Sequence, residues 1–180
     1  MPGFGLQLRR GDRGDAAALA DFAARTYADT FGHATGPDDL VAYLASSYSE
    51  HQQAAELRDP DVITILATSD RSLAGYAQVR RYAAPKCVTG QDPVELWRFY
   101  VDRPWQGRGL ARELLMAALS AASELGGQTV WLSVWEGNAR AISFYKKNGF
   151  RDAGSHPFWV GTDRQTDRIM VIEASSPDAA

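Results

Sequence analysis

The chain has 180 residues, 45% of them hydrophobic and 23% charged, enough for one sizeable core and too few for two ordinary domains. Its net charge of −3 argues against general nucleic-acid binding, the single Cys87 excludes an intrachain disulfide, and the scattered His33, His51 and His156 show no zinc-ligand spacing. No apolar run approaches the ~18 residues of a membrane span and the first residues lack a basic stretch followed by an apolar one, so the expectation is one cytoplasmic domain over residues 1–174, a frayed tail at 175–180, and no metal, membrane or nucleic-acid partner.

In chain order, Gly5 to Arg10 reads as a first strand, and Asp12 or Asp15 can cap a helix running to about Phe31. A second helix covers about Pro37 to Ser49, and a shorter one ends near Leu57. Pro60 introduces a strand over Val62 to Thr68, which Asp70-Arg71-Ser72 turns into a hairpin partner over Leu73 to Tyr82. The loop Ala83 to Pro93 is long for such a connection, a candidate lid or a contact through which a homodimer could form. An aromatic-rich strand then reaches Val101, and after two glycines Leu110, Leu114, Ala118, Ala121 and Leu125 recur at helical spacing until Gly126-Gly127. Thr129 to Trp135 is β-branched and aromatic, a strand; Asn138 caps a helix over Ala139 to Lys147 that Gly149 terminates. Two strands follow, about Arg151 to Val160 and Asp167 to Glu173.

The charge is unevenly spread. Residues 15 to 61 carry nine acids against Arg25 and Arg58, a balance of −7, so the remainder carries +4. Such a split suits an anionic ligand at one end of the molecule and a cationic one at the other. It fits equally well two solvated acidic helices.

The most informative segment is Leu96 to Ala111, where a strand runs into Gly107 and Gly109 and then a long helix. A helix start has four amides without intrahelical partners and about half a positive charge from the peptide dipoles, so an anion satisfies both. The two glycines let an anion approach the backbone, and Arg103, Arg108 and Arg112 add positive charge. Arg112 stands where a dinucleotide fingerprint needs its third glycine, and Gly109-Leu110-Ala111 lacks the Lys-Ser/Thr of a nucleoside-triphosphate loop. The pattern Gln106-x-x-Gly109-x-Ala111 is instead similar to the coenzyme A pyrophosphate loop of the GCN5-related N-acetyltransferases. A helix and a strand later, Asn138-x-x-Ala141-x-x-Phe144-Tyr145-x-x-x-Gly149-Phe150 resembles the second coenzyme motif of that superfamily. Further strings, Thr26 to Phe31, Tyr43-Leu44, Phe158 to Gly161 and Gln165-Thr166-Asp167, resemble bacterial polyamine acetyltransferases of the PaiA type.

The resemblance implies an α/β fold with a mixed sheet of six to seven strands, helices on both faces and a splayed pair of central strands. It implies acetyl-CoA as cofactor, with Tyr100, Val101 and Asp102 against the pantetheine and the amides of Gln106, Gly107, Arg108, Gly109, Leu110 and Ala111 on the pyrophosphate. The Val101 N–H would polarise the thioester oxygen, Asn138 would hold coenzyme amides or cap its helix, and Tyr145 would face the sulfur as general acid. Tyr100 and Val101 also read as plain strand core, and Tyr145 as a packed aromatic beside Ile142.

Glu95, fourteen residues before Gly109, matches the spacing of the general-base glutamate of the histone-acetylating members. Alternation would put Glu95, Trp97, Phe99 and Val101 on one face and Arg98 on the other. A carboxylate there serves as base through water, as acceptor-binding anion or as a structural ion pair. Aromatic faces and carboxylates suit an alkylammonium, so Tyr27, Phe31, Tyr43, Trp97 and Trp135 are candidate linings with Glu95. The expected activity is N-acetylation of a small cationic, polyamine-like amine by direct attack on the thioester. The alternatives are a peptide or protein N-terminal acceptor, or a non-catalytic acyl-CoA-binding module.

Overall fold

Apolar residues at alternate strand positions must find cover on both faces of a sheet. In the computed structural model, which describes residues 5–70 and 72–173, the strands are β1 Gln7–Arg10, β2 Val62–Ser69, β3 Ser72–Arg80, β4 Pro93–Val101, β5 Thr129–Trp135, β6 Arg151–Val160 and β7 Asp163–Glu173. They form one sheet in the order β1-β2-β3-β4-β5-β7-β6. The β4–β5 pair is parallel and the other neighbours are antiparallel. The helices are α1 Ala16–Phe31, α2 Pro37–Ser47, α3 Glu50–Glu56, α4 Leu110–Glu124 and α5 Ala139–Lys147. The predicted tail at 175–180 lies outside the described residues. No helix among them is long and apolar enough to cross a membrane, and none of their His, Cys, Asp and Glu side chains form a metal-binding group.

One core lies between the sheet and α4–α5, where Ile65, Ala77, Val79, Val94 and Leu96 meet the apolar stripe of α4. The other lies beneath α1–α3, where Leu66 and Tyr76 meet Leu19, Phe22, Ala23 and Tyr27. Adjacent residues such as Ile65 and Leu66 thus serve opposite cores. A buried polar network pins α3 to this second face: Arg98 donates to Glu56 Oε2 at 2.5 Å and to Gln78 Oε1 at 2.8 Å. Asp12 forms a capping box with Asp15 on the 3-10 turn Arg13–Asp15 that leads into α1, and Asp15, the residue before α1, makes no side-chain cap of its own. Turning over Gly161, β6 and β7 stay paired to Val160↔Asp163, so β7 begins four residues before the predicted strand.

β4 departs from simple alternation. Gln78 pairs with Arg98 but Val79 pairs with Leu96, a bulge that inserts Trp97 as an extra residue. The predicted common face of Glu95, Trp97, Phe99 and Val101 is therefore corrected. Val94, Leu96, Phe99 and Val101 pack on the α4–α5 side, whereas Glu95 meets Arg80 across the other. Arg98 shares that face with Glu95 instead of opposing it: the Trp97 ring lies between two guanidiniums, 3.7 Å from Arg80 and 3.8 Å from Arg98.

Candidate active site

Parallel β4 and β5 pair over three residues only, from Pro93↔Thr129 to Glu95↔Trp131. Beyond Glu95 the strands splay, and a cleft of about 1070 Å³ runs through the gap. One end is the turn before α4. Gly107 and Gly109 have φ values of 75° and 89°, a region that costs other residues about 1–2 kcal/mol. A Cβ on either would meet nothing within 4 Å, so the space before these backbones is open. The amides of Gly107 to Ala111 make no hydrogen bond with the described residues, the first capping donation coming from Arg112 N to Gly109 O at 3.0 Å. Arg103, Arg112 and Arg140 line the same end, and Arg140 donates to Gln106 Oε1 at 2.6 Å. Free amides, a helix N-terminus and three guanidiniums fit a pyrophosphate.

The edge of β4 carries this site toward the gap. Asp102 N–H donates to Ala74 O at 2.9 Å on β3; by strand alternation the Val101 N–H and C=O point the opposite way, into the cleft. Gln106 Nε2 donates to Val101 O at 2.9 Å from that side. Asp102 lines the cleft and also ties α1 to the end of β4: its amide is bound, its carbonyl accepts from Trp105 N, and its carboxylate takes both Arg25 nitrogens at 2.9 and 3.0 Å.

Tyr145 stands across the gap on α5, 7% exposed, its ring packed on Phe99, Phe144 and Phe150. Burial pushes the phenol above its ordinary value of 10.0, and its hydroxyl makes no hydrogen bond with the described residues. The proton is therefore held there at any physiological pH. Asn138 spends its side-chain oxygen on the Ala141 amide as the cap of α5.

The other end of the cleft is an aromatic chamber. Tyr27, Phe31, Tyr43, Trp97, Trp135 and Phe158 line it, with Tyr27 and Tyr43 4.8 Å apart and Phe31 6.2 Å from Trp135. Glu95 is 6% exposed and accepts from Arg80 Nε at 2.5 Å. Burial pushes its carboxyl above the ordinary value of 4.5 against the pull of the Arg80 guanidinium.

Of the predicted site residues, Arg108 and Leu110 alone do not line the cleft: Arg108 lies over the Trp105 ring and Leu110 is buried with Ala67 and Ala74, leaving only their amides facing the turn. Of the nine acids between residues 15 and 61 only Asp29 lines it. Asp15, Glu56 and Asp61 pair with Arg9, Arg98 and Arg81, and Asp39 accepts from Thr162 N. The acidic helices are mostly solvated faces, the second of the two readings.

Sequence reasoning did not assign Arg80, His156 or Asp167 to the site, although Asp167 ends one of the PaiA-like strings. His156 lines the chamber 2.7 Å from Ser133 Oγ. Asp167 on β7 pairs in register with Trp135 and His156 and is 7% exposed. Burial, reinforced by the like charge of Glu136, pushes its carboxyl from 3.8 up to about 6. The signal was available in the strand pattern, since Asp167 alternates with Ile169 and Val171 on one face.

The Acetyltransferase (GNAT) family profile matches residues 22–150. An uncharacterised N-acetyltransferase of Mycobacterium tuberculosis is 33% identical over 160 residues, 88% of this chain and 97% of the relative. The spermine/spermidine N(1)-acetyltransferase of Bacillus subtilis is 36% identical over 81 residues, 44% of this chain and 49% of the relative. The crystal structure of the PaiA N-acetyltransferase of Thermoplasma acidophilum in complex with coenzyme A superposes with a TM-score of 0.77 at 21% identity, over 94% of this chain and 99% of that one. The amide cradle, the splayed strands and the family match agree: this chain is an acetyl-CoA-dependent N-acetyltransferase of the GNAT family.

Proposed function

We propose that the acceptor is a small cationic amine of the polyamine type, attacked directly within the chamber. Acetyl-CoA supplies the acetyl group as a thioester. The amine nitrogen forms its bond to the acetyl carbon as the carbon–sulfur bond breaks and the electron pair leaves on sulfur. Tyr145 holds the proton that this sulfur takes, and the proton lost by the nitrogen passes to water. Donation from a buried phenol is uphill in isolation, but the neighbouring thiolate offsets that through contact with the proton. The Val101 N–H, aimed into the gap, is the donor for the carbonyl oxygen. Glu95 has its charge spent on Arg80, so of its three roles the ion pair that positions Arg80 and Trp97 fits best.

The observation that carries the acceptor class is the chamber wall: aromatic faces with the Asp167 carboxylate among them, which suit an alkylammonium, while the Arg80 and Arg98 guanidiniums on the same wall are paired with Glu95 and Glu56. The Bacillus subtilis relative, a spermine/spermidine N(1)-acetyltransferase, points the same way. Thiol release from acetyl-CoA should appear with polyamines and not with short peptides. Tyr145→Phe should lower kcat by roughly 10²-fold or more while the coenzyme dissociation constant stays unchanged. Turnover confined to peptides would overturn the acceptor class, and undiminished turnover in Tyr145→Phe would overturn the proton donor.

A further inference from the structure

The two other buried carboxylates among the described residues each have a cation: Glu56 has Arg98 and Glu95 has Arg80. Asp167 is as buried as these and has none. No arginine, lysine or histidine among the described residues pairs with it, and its carboxylate accepts no hydrogen bond from them. Its oxygens are not sealed in the core but open on the cleft, with Tyr27 and Tyr43 across from it and Trp135 beside it. Glu136, near enough for its charge to act on Asp167, has the same sign. A buried carboxylate without a partner costs free energy that a bound cation would recover.

We propose that Asp167, with the rings of Tyr27, Tyr43 and Trp135, forms a cation subsite that holds an ammonium group of the acceptor other than the one acetylated. The distinction follows from the chemistry of the pair. An ammonium against a carboxylate keeps its proton, and a protonated nitrogen has no lone pair with which to attack. The nitrogen held at Asp167 is therefore the spectator, and the acceptor must carry a second amine that reaches the gap beside Tyr145. Asp167 is a specificity residue that selects diamines and longer polyamines over monoamines. The subsite presupposes the amine acceptor proposed above, and its test separates the two.

The test compares 1,4-diaminobutane with 1-butylamine, which differ by the spectator ammonium. In the unmodified protein kcat/KM should favour the diamine by about tenfold or more. In Asp167→Asn that ratio should fall to near one, chiefly through KM for the diamine, while the coenzyme dissociation constant stays within about twofold. A purely structural role would move both amines together. An unchanged ratio in Asp167→Asn would overturn the subsite while leaving the acetylation of amines intact. If no amine is acetylated, the proposed acceptor class falls. Calorimetric titration of 1,4-diaminobutane into the coenzyme-A-bound protein then decides the subsite: binding lost in Asp167→Asn supports it, and equal binding in both proteins, or none in the unmodified one, overturns it.

Discussion

Replacing Asp167 by Asn should make the protein more stable at pH 8 and should not do so at pH 4. The carboxyl titrates at 3.8 when free and at about 6 in the folded protein, chiefly through burial. The folded state therefore binds the proton more tightly than the unfolded chain, and stability falls as pH rises from about 4 through 6. Above that window the charge is buried at a cost of about two pKa units, at most about 3 kcal/mol. Asparagine keeps the shape without the charge, although its amide finds no protein partner here and gives back about 1 kcal/mol. The net gain of about 1–2 kcal/mol corresponds to about 2–8 °C in Tm for a chain of this size. Other groups surround Asp167: Glu136 carries like charge, burial holds the His156 imidazole below its ordinary 6.5, and burial raises the Tyr27 and Tyr43 phenols so that they stay protonated. They are present in both proteins, so the readout is the difference in Tm between variant and parent from pH 4 to 8. A difference that does not grow with pH, or a variant less stable at pH 8, would show that Asp167 has a partner and refute the reasoning.

Two further substitutions test the frame around the cleft. Glu56→Ala leaves the Arg98 guanidinium, 6% exposed, buried beside Gln78 without its carboxylate; urea unfolding should show a loss of about 3–5 kcal/mol, and a loss below about 1 kcal/mol would mean the network is solvated. Gly109→Ala meets no steric clash but must hold φ near 89°, so it should cost about 1–2 kcal/mol of stability and, by placing a methyl before the free amides, weaken coenzyme A binding by about tenfold; calorimetry giving the parent affinity would remove the anion from this turn.

What sequence made legible was whatever depends on near neighbours. Gln106 to Ala111 and Asn138 to Phe150 declare turns, caps and helix starts through residues a few positions apart, and the structure places both motifs at one cleft. Trp97 shows where this stops: a single inserted residue reverses the phase of β4, so Glu95 and Phe99 part company and Arg98 joins Glu95. No local rule demands a bulge there. Partnerships made across the sheet were hidden for the same reason, since Glu95 meets Arg80 and Asp102 meets Arg25, 77 residues away. The acidic balance of residues 15 to 61 is a sum, and a sum does not say which way side chains point.

That sum and the single charge of Asp167 then act at different distances. Asp21, Asp38, Glu50 and Asp59 are exposed on or beside the helices that roof the chamber, where solvent and salt screen them beyond about 8 Å. They can raise the local concentration of a polycation and speed its encounter, but they cannot tell a diamine from a monoamine once it enters. Discrimination needs a charge that water does not screen and no arginine has already neutralised. Glu95 fails the second condition and the helical acids fail the first. Asp167 meets both at a cost in folding stability, which is why the same substitution that removes the preference for a second ammonium is also the one expected to strengthen the fold.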